Sequence, residues 1–409
     1  MALGDGTDDA RLNEAWRTFC AQLAVAGEAV FKPENPIDGM YRVDALRFLT
    51  QNLGQAFDLA LETRDTQHPQ LHALCSPTRK LGSDCADFLY QQAWIDGNHE
   101  YRVRGNVGTV RFLNFTIQGE LATLNASGQL HEPFCDLPEA NLFGHQLTVD
   151  ENGDFELAIG GAARERNWLP STARTRKLFI RQGFDRWDEQ PATLHIERVG
   201  AFAPKPLPSV DAMVDAVHWA GDFLLGTMAD WPEFPYNHSP FVDPHKPNCF
   251  PEPPAVDGDA DRKRGRAVAH MCWSLATDEA LIVEFDGHDG FWNITNMGVF
   301  FNSMDFRSRP VSYTPSRTAI DDDGKIRLVL AHSDPGVHNW IDTQGFKQGN
   351  LTYRNLLGDQ PTSFVTWVVK HAELSSHLPL TTRTVSESER QGQLRERMRA
   401  IQRRYGLSG

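Results

Sequence analysis

The stretch YRVRGNVGTVRFLNFTIQG, residues 101–119, decides the fold class of this chain. Its residues alternate with a period of two, which is typical of strands because successive strand side chains point to opposite faces. Gly105 and Asn106 form a dipeptide that favours tight turns. The stretch therefore predicts two antiparallel strands joined by a turn.

Similar short runs lie on both sides of this stretch, with Gly and Asn between them. They are residues 146–149, 155–159, 177–181, 192–198, 280–285, 291–299, 326–331 and 363–371. Many short strands with such spacing indicate a sandwich or barrel rather than a parallel sheet. We expect a mainly β protein with antiparallel sheets of the β-sandwich or jelly-roll type.

Helical spacing appears at both ends and once in the middle. Residues 8–66 predict an N-terminal helical layer of two helices, Ser209 begins a helix that reaches about Met228, and a C-terminal helix runs from about Ser386 to Arg404. The last helix mixes Arg with Glu, so we expect it to be solvated. Residues 231–261 are rich in Pro and Asp and predict a long irregular loop, a lid or an oligomer contact.

These patterns divide the chain into five parts. They are an N-terminal helical region (1–75), a first β region (76–205), a helix with the long loop (206–265), a second β region (266–380) and a C-terminal helix (381–409).

Composition excludes several classes of protein. The 409 residues carry a net charge of −14, which disfavours binding to nucleic acid. The N-terminus lacks the apolar region of a secretory signal, and no run approaches the ~18 apolar residues of a membrane span. The six cysteines form no CxxC pair, and neither GxGxxG nor GxxxxGK[ST] occurs. We expect a cytoplasmic protein that acts on a small molecule without a cofactor, binds no membrane and forms a homo-oligomer.

The densest group of polar residues lies in AHSDPGVHNWIDTQGFKQGNLTYR, residues 331–354. His332 and Asp334 follow a predicted strand and are two residues apart, so in extended backbone they point the same way. Such a pair can orient an imidazole for proton transfer. Asn339, Trp340 and Asp342 follow in the adjoining loop. The alternative is that these polar groups only bond turn backbone.

A second group lies between residues 90 and 104. Tyr90, Trp94, Asp96, Tyr101 and Arg104 crowd into one turn-and-strand region. Aromatic walls with an Arg and an acid suit a small ligand that contains a ring. The alternative is a strand whose aromatic residues fill a core and whose Arg pairs with nearby acids.

A third group lies between residues 284 and 309. Trp292 and Asn293 begin a strand, and Arg307 shares a strand face with Arg309, where the two could bind an anion. Asp286 and His288 could also join His332 and Asp334 as metal ligands if the two segments converge. Neither HxD-type spacing is specific, and the residues named here could equally form turns and surface ion pairs.

Long, unusual strings in this chain resemble the bacterial DUF1214 family. They are WNITNMGVFFNSMDFRSRPVSYTP and residues 331–354, together with SPTRKLGSDCADFLYQQAWIDG and YRVRGNVGTVRFLNF. The resemblance covers most of residues 76–371. It implies a β-sandwich or jelly-roll architecture and names no reaction.

The residue types favour an enzyme, a carbon–carbon lyase that acts on a small, hydroxylated aromatic substrate. A base would take a proton from a hydroxyl, and a carbonyl fragment such as formaldehyde would leave in a retro-aldol cleavage. The catalytic residues expected are His332, Asp334, Tyr101, Arg104 and Arg307. The substrate-binding residues expected are Tyr90, Trp94, Asp96, Trp292, Asn293, Asn339, Trp340 and Asp342. Two alternatives stay open, a non-catalytic module that binds a sugar or polyol and a metal-assisted hydrolase.

Overall fold

Two β-sandwiches, a helical layer and a C-terminal helix make up the protein in the computed structural model. The structure describes residues 6–32, 38–119, 137–233, 246–251, 267–358 and 361–406. The predicted class is confirmed: the chain is mainly β, with helices at its N-terminal and C-terminal ends. Within the described ranges, no helix combines the length and apolar character needed to span a bilayer.

The first sandwich packs a five-stranded sheet against a four-stranded sheet. Its strands are β1 (His72–Ala73), β2 (Phe88–Trp94), β3 (Tyr101–Asn106), β4 (Phe112–Gly119), β5 (Leu137–Phe143), β6 (Asp154–Ile159), β7 (Trp168–Leu169), β8 (Thr175–Gly183) and β9 (Thr193–Arg198). The strand orders are β1-β2-β8-β4-β5 and β7-β6-β3-β9. Val103 and Leu157 from one sheet and Phe115 and Ile180 from the other are buried in one cluster between the sheets.

The hairpin expected at residues 101–119 is wrong in its pairing, although both strands exist. β3 pairs with β6 and β9, whereas β4 pairs with β5 and β8 in the other sheet. Gly105 lies inside β3, where an added Cβ would come within 1.8 Å of the Thr193 carbonyl oxygen. This glycine therefore permits the close approach of β9. In this stretch the glycine with a positive φ, which is +60°, is Gly108, three residues after Gly105 of the expected turn.

The second sandwich is built from two four-stranded sheets. Its strands are β10 (Ala267–Ser274), β11 (Glu279–Asp286), β12 (Phe291–Met297), β13 (Ser312–Tyr313), β14 (Lys325–Ala331), β15 (Trp340–Asp342), β16 (Gln348–Leu356) and β17 (Phe364–Lys370). The orders are β10-β16-β12-β13 and β15-β14-β11-β17. Trp273 and Trp292 from the first sheet share a buried cluster with Phe285 and Leu328 from the second.

Three helices cover the outer face of the five-stranded sheet. They are α1 (Gly6–Glu28), α2 (Gly39–Phe57) and α3 (Val210–Glu233). Phe19, Phe48 and Phe223 from these helices join Tyr90 and Phe179 of the sheet in one hydrophobic cluster. The helical layer therefore has three helices instead of the expected two. The helix α3 also contains residues 231–233, the first three of the segment 231–261 that was predicted as a long loop. Most of that segment lies outside the described residues.

The C-terminal helix α4 (Glu387–Arg404) begins with a capping box formed by Ser386 and Glu389. Arg390, Arg397 and Arg404 are buried, at 5%, 4% and 5% exposure, and they are spaced seven residues apart. Seven residues is close to two helical turns, so the three side chains share one face. The expectation of a solvated helix is wrong for this face, because it packs into the protein through its guanidinium groups.

Candidate functional site

His332 and Asp334, the expected base and its orienting carboxylate, are not joined by a hydrogen bond among the described contacts. His332 Nδ1 lies 2.7 Å from Thr343 Oγ1, and Nε2 lies 3.1 Å from the carbonyl oxygen of Ala276. Asp334 accepts a hydrogen bond from Arg390 Nε at 2.9 Å. Both ring nitrogens of His332 are therefore engaged within the protein, and the catalytic role of this pair stays a prediction.

The other predicted residues of this segment bond to nearby backbone and side chains. Asn339 Nδ2 donates to two backbone carbonyls at 2.8 and 3.0 Å. Trp340 Nε1 donates to a backbone carbonyl at 3.1 Å. Asp342 Oδ2 accepts from Arg309 Nη1 at 2.8 Å. These bonds hold the strand ends of the second sandwich together, which agrees with the structural alternative for the segment.

The residues predicted between positions 90 and 104 all lie in the first sandwich. Tyr90 and Trp94 are buried against the helical layer. The buried Tyr101 hydroxyl donates to a loop carbonyl at 2.8 Å, and Asp96 accepts from the turn that follows it. Arg104 is exposed and pairs with two glutamates of its own sheet. None of the described hydrogen bonds or ion pairs of Tyr101 and Arg104 reaches residues 331–354.

The third predicted group is split between core and surface. Trp292 lies in the core of the second sandwich, Asn293 donates to Asp87 Oδ2 at 2.6 Å, and Arg307 is exposed. The structure thus distributes the predicted site residues over both sandwiches instead of bringing them around one cavity.

The four candidate metal ligands also have separate partners. Asp286 pairs with Lys325 at 2.8 Å, and His288 Nδ1 accepts from a backbone N–H at 3.1 Å. Within the described residues, no three His, Cys, Asp or Glu side chains form a group that could hold a metal ion.

A cavity that the sequence did not reveal lies between α2, the Lys80 loop, the loop that joins β12 to β13 and the loop that joins β15 to β16. Its volume is about 310 Å³, in the range of small-ligand pockets. Its lining residues are Gly39, Met40, Val43, Asp44, Arg47, Gln51, Lys80, Asn302, Ser303, Met304, Asp305, Gln344 and Phe346. We call it the lysine cavity, because a buried lysine forms part of its wall.

Lys80 reaches this wall from the loop that precedes β2. Its Nζ donates to Ser303 Oγ at 2.6 Å and lies 3.8 Å from Asp84 Oδ2. Ser303 Oγ donates in turn to Asp84 Oδ2, and Ser303 N donates to Asp84 Oδ1 at 2.7 Å. The three side chains are almost fully buried and form a continuous path from ammonium to hydroxyl to carboxylate.

Burial lowers the pKa of Lys80 to about 8, although Asp84 and Asp305 oppose the shift. The ring of Phe306 lies 3.6 Å from the ammonium nitrogen and forms an apolar wall. Burial also raises the pKa of the half-buried Asp44, against the hydrogen bond from Asn302. The cavity therefore holds an amine that loses its proton easily and a carboxyl group that keeps its proton more readily than usual. Such opposed shifts are typical of acid–base sites.

Two strained residues hold the loops that form the cavity wall. Ser83 has a φ of 60° and Phe301 a φ of 55°, values that side chains other than glycine rarely adopt. Ser83 N donates to the Phe301 carbonyl oxygen at 2.7 Å, so the two strained positions bond to each other. This contact fixes the Lys80 loop against the Ser303 loop.

The comparisons with known proteins identify relatives but no reaction. No family model and no curated protein matches the chain. The crystal structure of an uncharacterized protein from Burkholderia cenocepacia is 30% identical, covers 89% of this chain and 99% of its own, and has a TM-score of 0.78. The chain belongs to the family of that protein. The relationship extends over most of the chain and assigns no activity.

Two further solved structures are much less similar. The VPA0106 protein from Vibrio parahaemolyticus is 11% identical, with 79% of this chain and 98% of its own covered and a TM-score of 0.42. An oxalate decarboxylase from Bacillus subtilis is 9% identical, with 72% and 73% covered and a TM-score of 0.12. Scores this low support no conclusion about function.

Proposed function

We propose that the protein is a carbon–carbon lyase that cleaves a small β-hydroxy carbonyl compound by retro-aldol chemistry in the lysine cavity. The observation that carries the proposal is the buried Lys80 amine, which is hydrogen-bonded to Ser303 in the wall of a ligand-sized cavity. The reaction class is the one expected from the sequence, and the groups assigned to it are different.

The first step needs a neutral amine. A pKa of about 8 leaves about one Lys80 side chain in ten neutral at pH 7, compared with about one in 3,000 at the ordinary value of 10.5. The proton can leave through Ser303 Oγ toward Asp84, because this hydroxyl accepts a hydrogen bond from Lys80 Nζ and donates one to Asp84 Oδ2. A neutral lysine amine is the nucleophile that forms Schiff bases with carbonyl substrates.

The bond changes then follow in order. The amine adds to the substrate carbonyl and the adduct loses water, which gives an iminium ion. A carboxylate takes the proton of the β-hydroxyl, the carbon–carbon bond breaks, an aldehyde leaves and the electron pair enters an enamine. Asp305 and Asp44 line the cavity and can serve as this base. Protonation of the enamine on carbon and hydrolysis of the iminium ion restore Lys80.

The lining of the cavity also suits a substrate that has an aromatic ring and a hydroxyl group. Met40, Met304 and Phe346 provide an apolar side, which suits an aromatic ring, and Asn302 and Gln344 provide hydrogen-bonding groups for a hydroxyl. When the group that leaves is an unsubstituted hydroxymethyl group, its carbon departs as formaldehyde.

The test uses 3-hydroxypropiophenone, whose retro-aldol cleavage gives acetophenone and formaldehyde. We expect formaldehyde release by the wild type, its loss in Lys80→Met, and an adduct on Lys80 when sodium cyanoborohydride traps the iminium ion. Lys370→Met is the matched control, since Lys370 is exposed and pairs with Asp278 and Glu279.

His332→Gln distinguishes the two placements of the active site. Full activity in this variant supports the lysine cavity, whereas loss of turnover in a folded protein supports the assignment made from the sequence. Full activity in Lys80→Met, or trapping spread evenly over surface lysines, would refute the proposal for Lys80.

The polar lining also supports a second candidate, a non-catalytic site for a polyol. Asp44, Asn302, Asp305 and Gln344 offer several hydrogen-bonding groups in one cavity. Saturable binding of a polyol such as glycerol or xylitol, without turnover of any β-hydroxy ketone, would favour this function.

We further propose, on the sequence alone, that the chain is a DUF1214 member, resides in the cytoplasm, assembles into homo-oligomers and takes part in the breakdown of aromatic compounds. Support comes from the motif strings of residues 76–371, the acidic composition and the Pro-rich segment 231–261. Size-exclusion chromatography with light scattering tests the assembly.

A further inference from the structure

A second cavity lies where α4 packs against the second sandwich and the end of β8. Its volume is about 380 Å³. Its wall includes Arg186, Trp187, Arg317, Arg383, Glu396 and Arg397. We call it the arginine cavity, because four of these residues are arginines.

The wall of this cavity carries more positive than negative charge, because four arginines line it against two carboxylates, those of Asp188 and Glu396. Behind the wall, Arg317, Arg397 and Arg404 lie around the buried carboxylate of Asp87. Arg317 Nη2 lies 2.7 Å from Asp87 Oδ1, and Arg404 Nη1 lies 3.9 Å from the same oxygen. The side chains of Arg317 and Arg404 are 8% and 2% exposed. Burial lowers the pKa of Arg397 to about 10, so it is still charged at pH 7.

Several of these guanidinium N–H groups also lack a hydrogen-bond acceptor. In the part of the chain that the structure describes, neither Arg317 Nη1 nor any nitrogen of Arg404 makes a hydrogen bond. Arg397 does bond, with Nη2 donating to the Ser312 carbonyl oxygen at 3.0 Å. A buried donor without an acceptor destabilises the folded state, because its hydrogen bonds to water are lost on folding and no protein acceptor replaces them. Arg317 is also one of the residues that line the cavity.

The arginines are held rigidly in this arrangement. Trp187 stacks on Arg317, whose guanidinium carbon lies 4.0 Å from the ring centroid, and Arg397 lies 4.8 Å from the same ring. Asp185 accepts from Ser316 N at 2.9 Å and fixes the loop that carries Arg317. A planar guanidinium that is fixed in place matches the paired oxygens of a carboxylate or phosphate.

We propose that the arginine cavity binds a small organic anion that carries a carboxylate or phosphate group, with Arg317 and Arg397 as the residues that bind its oxygens. A bound anion would compensate the excess positive charge of the cavity wall. The cavity is larger than one oxyanion needs, which favours an organic ligand over a free inorganic ion. The site is separate from the lysine cavity and does not depend on the reaction proposed there.

The test titrates the full chain with inorganic phosphate and with citrate at constant ionic strength, using isothermal titration calorimetry. We expect saturable binding by the wild type and binding weaker by about tenfold or more in Arg317→Gln, because a charge-assisted hydrogen bond is lost. Arg317→Lys keeps the positive charge but loses the planar guanidinium with its paired N–H donors, so this variant should also bind the anion more weakly. Arg164→Gln removes one exposed positive charge from the first sandwich, at a residue that does not line the cavity, and should bind like the wild type.

The probe that binds more tightly identifies the chemical class, and citrate binding without phosphate binding indicates a carboxylate ligand. Binding that falls equally in Arg164→Gln would show a general charge effect and overturn the proposal. Absence of saturable binding by both probes, or an unchanged Kd in both folded Arg317 variants, would overturn it as well. Circular dichroism of each variant shows whether it is folded.

Discussion

Asp87 is the side chain whose loss should most disturb the packing of α4. It is 1% exposed, and its Oδ2 accepts from Asn293 while its Oδ1 lies 2.7 Å from Arg317 Nη2. Asp87→Asn keeps the shape and the acceptor for Asn293 but removes the carboxylate that Arg317, Arg397 and Arg404 stabilise. Breaking a buried ion pair on one side costs about 3–5 kcal/mol, since a charge is left without compensation. We therefore expect Asp87→Asn to lower the free energy of unfolding by about 3–5 kcal/mol.

Urea unfolding followed by tryptophan fluorescence measures this change, and Trp187 beside the cluster provides a local signal. Asp188→Asn is the matched control, because Asp188 is 78% exposed and pairs with Arg186 on the surface. Exposed pairs of this kind contribute about 0–1 kcal/mol. A loss below about 1 kcal/mol for Asp87→Asn, or an equal loss for both variants, would show that the cluster does not stabilise the fold through this carboxylate.

The pH dependence gives a second check on Asp87. Burial alone would raise the pKa of this carboxyl, but Arg317, Arg397 and Arg404 outweigh burial and hold the pKa below its usual value. A carboxyl with a lowered folded pKa stabilises the protein above the unfolded value of about 4 and loses this effect as the pH falls through the folded value. The difference in stability between the wild type and Asp87→Asn should therefore shrink in acid, and a constant difference down to pH 2 would contradict the argument.

Three further changes test other parts of the structure. The rate at which a small aldehyde and cyanoborohydride label Lys80, followed by mass spectrometry, should rise with a midpoint near pH 8, and a midpoint near 10.5 would contradict its lowered pKa of about 8. Tyr41→Phe should cost about 1–2 kcal/mol in urea unfolding, because its hydroxyl donates to the Gln348 carbonyl at 3.1 Å and accepts from Gln348 N at 2.8 Å. Gly105→Ala should lower Tm strongly, since its Cβ would lie 1.8 Å from a carbonyl oxygen of β9, whereas Gly54→Ala on α2, with nothing within 4 Å, should be neutral or slightly stabilising.

The elements that local patterns could predict are those whose environment is uniform along their length. β11 and β14 were predictable within a residue or two because both are nearly continuous apolar runs buried in one sandwich. β10 and β16 were missed, although they form the longest ladder of the second sandwich, from Ala267 with Asn355 to Ser274 with Gln348. Their buried Asn, His and Arg side chains interrupt the apolar pattern that a strand prediction relies on. The strand predicted at 146–149 is absent, and the backbone there is a short turn followed by irregular structure.

The candidate site depends on contacts that no local pattern can show. Lys80 and Ser303, which are bonded, are separated by 223 positions in the chain. Lys80 and Asp84 do lie four residues apart in SPTRKLGSDC, but in a loop that spacing carries little information. Conversely, the even spacing of His332 and Asp334 suggested a shared face, and the two instead bond to Thr343 and Arg390. Spacing predicts direction only while the backbone stays extended, and β14 ends before His332.

A usable signal existed at the C-terminus. Arginines at 390, 397 and 404 recur every seven residues, a spacing that places them on one helix face. Hydrophobic periodicity overlooks such a face because arginine counts as polar, although its aliphatic stem and planar head can pack against aromatic rings. Arg390 lies over Trp340 at 5.3 Å, and Arg404 lies over Phe184 at 4.1 Å.

The two cavities share one loop, because the segment between β12 and β13 contributes Ser303 and Asp305 to the lysine cavity and Pro310 to the arginine cavity. The Phe306 ring lies 3.6 Å from the Lys80 ammonium, while the Phe306 carbonyl oxygen accepts from Arg397 Nη1 at 3.5 Å. The face of the ring attracts the charged ammonium, and the carbonyl belongs to the network that orients Arg397. A shift of this loop would therefore change the environment of Lys80 and the aim of Arg397 at the same time. Through Phe306, the loop between β12 and β13 contacts one residue of each cavity wall, Lys80 and Arg397.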